Sequence, residues 1–469
     1  MGRTARILSS VLLVLALAAL AVPLGIHWSE DGLAEAPQPA VTTPAWQLPP
    51  TPEPATDGAL TTAAPTPSSA RLTELLGKSL VPDGGGDFSA QVTDALTGSV
   101  LYGSKADEPR APASNMKLLT AAAALQVLGP DARFSTEVRR TGAGSLSLRG
   151  GGDVLLGAGE SKPSEVMGHA GLATLAGQTV AALKAGGAKG KLTVAADARL
   201  FSGPAVNPTI EPDDVSAGET APVAPLALNS GRFDASVETG PRPQDQPAEV
   251  LKAFVAALNA AASKAGAPLS FAAGGSAGDG PVLSSVASAT VAGQVSWMLQ
   301  NSDNFLTAVM GRMVAVKEGR AGGYADAIVA VRNELEKLGM DTKGMVIADL
   351  SGLAPANRVS AAQFSWLVRL MATGDNASLR AALAGFPVAG VSGTLGSRYA
   401  SAESKAGAGL VRAKTGTLNT VLSLSGYVVD ADGRLLIFSF IGNGLTAGAA
   451  GNKAALDDSA SILAGCGCR

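Results

Sequence analysis

Ala111-Pro112-Ala113-Ser114-Asn115-Met116-Lys117 runs straight into the apolar segment Leu118 to Leu128, and the reading of this stretch decides the fold. Pro112 sets the approach, Ser114 stands at a helix start where a capping hydroxyl is favoured, and no breaker interrupts the Leu/Ala-rich run before Gly129-Pro130. The pattern predicts a buried helix. Ser114 and Lys117 lie one turn apart on it, so the amine can reach the serine oxygen, with the positive end of the helix dipole beside both. That is a nucleophile next to a base, provided burial or a cationic neighbour lowers the lysine from its usual ~10.4. A lone Ser-x-x-Lys is common as a capping serine followed by a surface lysine, so the rest of the chain has to decide.

Two further stretches do. Ser302-Asp303-Asn304 interrupts two apolar helical runs, one with Val295, Met298 and Leu299, the next with Phe305, Leu306, Val309 and Met310, which places it in an inter-helix loop. Lys414-Thr415-Gly416 lies on, or just before, a strand that is followed by Leu422 to Val429. Asp432-Gly433 then turns the chain into Arg434 to Phe440, a strong hairpin signal. Acyl transfer to a serine needs a base, a proton donor for the leaving amine, and donors aimed at the developing oxyanion. Lys117 can serve as the base for Ser114. Ser302 can relay a proton between a lysine and the departing nitrogen, and Asn304 offers an amide to the substrate and to Lys117. Lys414 supplies positive charge, the hydroxyls of Thr415 and Thr417 beside Gly416 can bind a terminal carboxylate, and the backbone N–H groups of Ser114 and Thr417 make a natural oxyanion pair.

Composition removes several alternatives. With 469 residues, 46% of them hydrophobic, the chain can bury a sizeable core and more than one domain. A net charge of -3 gives no basic footprint, so nucleic acid is not an expected partner. The only histidines are His27, at the end of an N-terminal apolar run, and His169, in a stretch without catalytic pattern, so a Ser-His-Asp triad finds no support. Cys466 and Cys468 are the only cysteines and have no zinc-type spacing with partners. Neither a metal nor an organic cofactor is expected.

Arg3 and Arg6 precede an apolar run from Ile7 to Ile26, long enough to span a bilayer. It reads as an uncleaved signal-anchor in preference to a signal peptide, within residues 1–30. Membrane attachment through this segment and an extracytoplasmic location for the remainder are the expectations. Residues 31–70, dominated by Pro, Thr, Ala and Ser, read as an extended tether. Residues 71–150 and 285–469 form the expected principal domain. Between 151 and 284 the texture changes to short apolar runs split by Gly, Pro and Asp, the mark of an inserted region. Within the principal domain Phe88 to Val92 and Ser99 to Tyr102 predict a hairpin. Helices are expected over 71–80, 324–338, 361–371 with Ser360 as cap, and 449–463.

Ser114-x-x-Lys117, Ser302-Asp303-Asn304 and Lys414-Thr415-Gly416, in that order, form the motif set of class A β-lactamases and penicillin-binding proteins. Over roughly residues 70–465 the chain resembles the class C low-molecular-mass penicillin-binding proteins, the D-alanyl-D-alanine carboxypeptidase/endopeptidase family. Gly151-Gly152-Asp153, Asp197-Ala198-Arg199-Leu200-Phe201-Ser202-Gly203-Pro204, Ala221-Pro222-Val223, Ser351-Gly352-Leu353 with Asn357-Arg358-Val359, and Ser392-Gly393-Thr394-Leu395 extend the likeness. The resemblance implies an α+β serine β-lactamase/penicillin-binding transpeptidase-like fold. In it a helical cluster lies on a five-stranded antiparallel sheet, with a β-rich domain inserted between the first and second motifs. It also implies hydrolysis of D-alanyl bonds in peptidoglycan stem peptides and covalent inhibition by β-lactam antibiotics. A β-lactamase carries the same motifs, but about 185 residues between Lys117 and Ser302 leave room for a whole domain, and no deacylating glutamate stands out. A non-catalytic wall-binding or sensor module is the remaining alternative.

Overall fold

The computed structural model describes residues 63–468; the N-terminal apolar run and nearly all of the predicted tether lie outside the described residues. In chain order, helix α1 (Ser69–Ser79) precedes strands β1 (Asp87–Asp94) and β2 (Val100–Ser104), then helix α2 (Met116–Leu128). Strands β3 (Ser135–Gly142) and β4 (Ser145–Gly150), helix α3 (Leu172–Ala185), strand β5 (Gly190–Asp197), helix α4 (Gln246–Lys264) and strands β6 (Leu269–Ala273) and β7 (Val282–Ala287) come next. Helices α5 (Val291–Gln300), α6 (Asn304–Lys317), α7 (Tyr324–Lys337) and α8 (Ala361–Thr373) lead to strands β8 (Arg412–Leu418), β9 (Val421–Val429) and β10 (Leu435–Asn443), and helix α9 (Ala450–Ala464) closes the chain.

Helix α2 is the centre. Every side chain from Met116 to Leu125 is buried, which explains why its sequence is apolar all round with no polar stripe. Helices α5, α6 and α7 pack around it, and Leu118, Leu119, Met298, Phe305 and Val309 fill the space between them. This cluster covers one side of a sheet ordered β2-β1-β10-β9-β8, every pair of which is antiparallel. Strands β9 and β10 meet at the predicted Asp432-Gly433 turn, with Leu435 opposite Val429. The opposite side of the sheet buries Val92, Leu424 and Phe438 against α1 and α9. Ser360 caps α8 through a reciprocal pair with Gln363, so this predicted start is also the observed one.

A second sheet, ordered β6-β5-β4-β3-β7, lies between the first and second motifs. It spans Ser135 to Ala287, so its first two strands stand on the N-terminal side of the boundary expected at 151. The insertion, expected to be β-rich, combines this sheet with helices. Its core is sheet against helix, with Val138, Leu148 and Val194 facing Leu175 and Val180 of α3 and Phe254 and Leu258 of α4. Strand β5 runs parallel to both neighbours, and the helices supply the crossovers that parallel pairing requires. Arg312 of α6 ties this region down: its buried guanidinium lies 4.3 Å over Phe201, stacks on Tyr324 at 4.8 Å, and donates to the Ser202 carbonyl at 2.8 Å.

The end of the predicted tether is seated rather than free. The Ala64 carbonyl accepts from Arg434, and the Ser68 N–H donates to the Cys468 carbonyl at 2.6 Å. Cys466 and Cys468 are disulfide-bonded to each other. Among the described residues no helix is long and apolar enough to cross a membrane.

Candidate active site

The first motif sits where α2 meets the sheet. Ala113–Asn115 form a single 3-10 turn ahead of the helix, and Asn115, not Ser114, is the residue flanking its start. Ser114 is therefore not the capping serine that its position suggested. Its hydroxyl accepts instead from Lys117 Nζ at 2.9 Å. Small residues of the sheet make a seat for the turn. Asn115 Nδ2 donates to Ser425 Oγ at 2.6 Å and Ser423 Oγ donates to the Pro112 carbonyl at 2.7 Å. A side chain at Gly416 would stand 2.2 Å from Ser423 Oγ and 2.8 Å from the Pro112 carbonyl, so only glycine lets β8 come this close.

Lys117 is fully buried. Besides Ser114, its amine meets Asn304 Oδ1 at 2.6 Å and the Ser351 carbonyl at 2.8 Å. Both of these partners are acceptors only; the Asn304 orientation follows from its Nδ2 donating to the Glu219 carbonyl at 2.9 Å. A neutral amine thus spends its two N–H bonds on Asn304 and Ser351 and keeps its lone pair for the Ser114 hydroxyl. Burial pushes Lys117 down to about 8, against the opposing pull of Asp349, Asp303 and Glu219, so the neutral form is accessible near physiological pH.

The Ser351 carbonyl is held in place by Asp349. That carboxylate accepts from the N–H groups of Ser351, Gly352 and Ala354 and from the Asn357 side chain, while Asn357 Oδ1 accepts from the Ala348 N–H. Gly352, at φ +95°, lies against the nucleophile turn: a Cβ there would be 1.9 Å from the Ala113 carbonyl.

Ser302 occupies the left-handed region at φ +52° between α5 and α6. Asp303 caps α6, with Oδ1 accepting from the Leu306 N–H at 3.0 Å. The third motif lies on β8, as predicted. Lys414 is fully buried and donates to Ser302 Oγ at 3.0 Å and to the Thr415 carbonyl at 2.7 Å. Burial, reinforced by the charge of Lys117, pushes its amine well below the usual lysine range. The Thr415 hydroxyl pairs with Thr394 at 2.7 Å, whereas Thr417 is exposed one residue past Gly416.

Seven of the eight predicted site residues, the first three catalytic candidates included, are thus joined by hydrogen bonds, chain neighbours or close packing, with Thr417 at the open end. The Ser351 and Glu219 carbonyls, Asp349 and Thr394 are additions that the motif reading did not supply; Ser351 and Thr394 belonged to quoted motifs without an assigned role. His169 is engaged elsewhere, with Arg133 at 2.8 Å and the Glu165 carbonyl at 3.0 Å. Among the described residues no group of His, Cys, Asp or Glu is placed to hold a metal ion.

A serine and two buried lysines converging where a helical cluster meets an antiparallel sheet define the active-serine enzymes of the penicillin-binding fold. Residues 78–269 and 244–464 match the D-Ala-D-Ala carboxypeptidase 3 (S13) family, and the chain belongs to that family, a serine-type DD-peptidase. It is 34% identical over 429 residues to carboxypeptidase DacB of Mycolicibacterium smegmatis, covering 90% of each chain. A carboxypeptidase of Mycobacterium tuberculosis is 36% identical over 416 residues, with 86% of each covered. Among solved structures, penicillin binding protein 4 (dacB) of Haemophilus influenzae superposes with a TM-score of 0.66 at 19% identity, covering 84% of this chain and 98% of that one.

Proposed function

We propose that Ser114 is the nucleophile of this DD-peptidase and Lys117 its general base, acting on the D-alanyl end of peptidoglycan stem peptides. The Ser114 proton passes to the Lys117 lone pair as Oγ bonds to the D-alanyl carbonyl carbon. The tetrahedral oxyanion is met by the backbone N–H groups of Ser114 and Thr417, the residues that follow Ala113 and Gly416 where β8 presses on the nucleophile turn. Collapse breaks the C–N bond, and Ser302 relays to the departing amine the proton that Lys117 took from Ser114, which returns Lys117 to its neutral form. Water then cleaves the acyl ester and restores Ser114. Lys414 and the hydroxyls of Thr415 and Thr417 receive the terminal carboxylate, whose charge favours the protonated form of Lys414 that burial resists. Asn304 orients both Lys117 and the substrate amide.

The observation that carries this reading is the coordination of Lys117: two obligate acceptors and one hydroxyl around a buried amine. β-Lactams, which present an acyl carbon in the same pose, are proposed as covalent inhibitors; the Haemophilus influenzae protein has itself been crystallised with a β-lactam. Attachment to a membrane through the N-terminal apolar segment and an extracytoplasmic location belong to the same proposal, because the substrate lies outside the cytoplasm. Intact-mass analysis after benzylpenicillin treatment tests the nucleophile: the wild type is expected to gain one penicilloyl mass, and Ser114→Ala none. An equal adduct on both proteins would remove Ser114 from the chemistry.

A further inference from the structure

The second motif is held from outside the catalytic half. Asp303 is buried, and its Oδ2, the oxygen not used in capping, accepts from Arg232 at 3.0 Å. Arg232 comes from the segment between β5 and α4, within the inserted region, and its side chain is only 12% exposed. The same segment touches the next two residues of the motif helix. The Glu219 carbonyl accepts from Asn304 Nδ2 at 2.9 Å, and Gly231 lies so close to Phe305 that a Cβ there would meet the ring at 2.8 Å.

This segment is built to stay in place. Buried Arg242 donates to the Gly218 carbonyl at 2.5 Å and to the Ser230 carbonyl at 3.1 Å, tying two stretches of the segment together. Asn229, Ser230 and Gly231 all adopt positive φ, a run that persists only where the surroundings dictate it. Burial works to raise the Asp303 carboxyl, but the Arg232 charge and the Leu306 N–H outweigh it and keep the group below its usual range.

We propose that Arg232 is a positioning residue for the reaction: by pairing with Asp303 it fixes the left-handed Ser302 at the spot where its hydroxyl meets Lys414. The argument rests on the relay role proposed above for Ser302. Without Arg232, the buried carboxylate loses its only hydrogen-bonded cation and keeps just the more distant charges of Arg242 and Lys117, and the relief open to it is to take a proton or to swing toward water. Either movement releases the adjoining Ser302, a non-glycine residue that has no intrinsic preference for φ +52°. The inserted region therefore contributes to turnover through Asp303 without touching substrate.

The test is steady-state turnover of a D-Ala-D-Ala peptide, with thermal midpoints, for the full chain and five variants. Arg232→Met is expected to lower kcat about 30-fold with KM within about twofold, and Arg232→Lys to recover most of that loss. Asp303→Asn keeps a capping oxygen but removes the charge, so it must lower kcat by itself. Adding Arg232→Met to Asp303→Asn should then cost less than about threefold more, because the two act through one contact. Wild-type kcat in Arg232→Met or in Asp303→Asn overturns the inference, as do losses that multiply in the double variant. If Arg232→Met does not fold, Asp303→Asn decides, wild-type kcat in it overturning the inference. Ser302→Ala separates the two levels: a large loss there with none in Arg232→Met defeats only the positioning role, whereas wild-type turnover in Ser302→Ala defeats the relay as well.

Discussion

In the mechanism proposed above the neutral form of Lys117 is the base; burial pushes its amine down to about 8, so the acid limb of the acylation profile should have its midpoint near that value. The sign follows directly: below that pH the ammonium dominates and the acylation rate falls about tenfold per unit, and above it the rate levels off. Benzylpenicillin acylation rates measured from about pH 5.5 to 9 check this; a flat profile across the range would show that Lys117 is not the base. The side chains of this site were legible from their order and spacing, because a serine, two lysines and an asparagine carry their chemistry in their identity. The carbonyls of Ser351 and Glu219 were not legible in their roles, since every residue has a carbonyl and only the fold aims one at an amine. Arg232 escaped for a related reason: 71 positions separate it from Asp303 and no local pattern links them.

At the level of elements, the approach of β8 to the turn before α2 is what brings the third motif to the first. Gly416→Val should destabilise the protein by about 2 kcal/mol and reduce acylation, because the added side chain meets Ser423 Oγ and the Pro112 carbonyl and pushes the strand away. Urea unfolding alongside benzylpenicillin labelling measures both effects; unchanged labelling would mean that the contact is not needed. The helices around α2 were readable from period and caps, and the β9–β10 hairpin from Asp432-Gly433. The edges of the inserted region were not. Strands β3 and β4 form a local hairpin that would suit either half, and only their pairing with β7 and β5, far along the chain, assigns them.

For the molecule as a whole, the catalytic sheet depends on a buried pair joining its distant parts. Asp94 and Arg434 have side chains 0% and 4% exposed, and both Nε and a terminal nitrogen of Arg434 donate to the carboxylate. Arg434→Met should cost about 3–5 kcal/mol, well beyond an ordinary surface substitution, since it strands a buried carboxylate. A loss under about 1 kcal/mol in urea titrations would contradict that account. The general architecture followed from the resemblance carried by the three motifs, whereas the docking of Ala64 to Ser68 onto the fold did not, because a Pro/Thr/Ala-rich stretch has no pattern that announces a seat. Strand β1 pairs along its whole length with β10, residues separated by about 350 positions. On the ribosome, then, β1 must wait with one edge bare until β10 has been made. The intervening α/β sheet, whose partners lie nearer in sequence, has time to fold first, and a chain stopped short of Leu435 would keep a ready inner half but never assemble the floor beneath its serine.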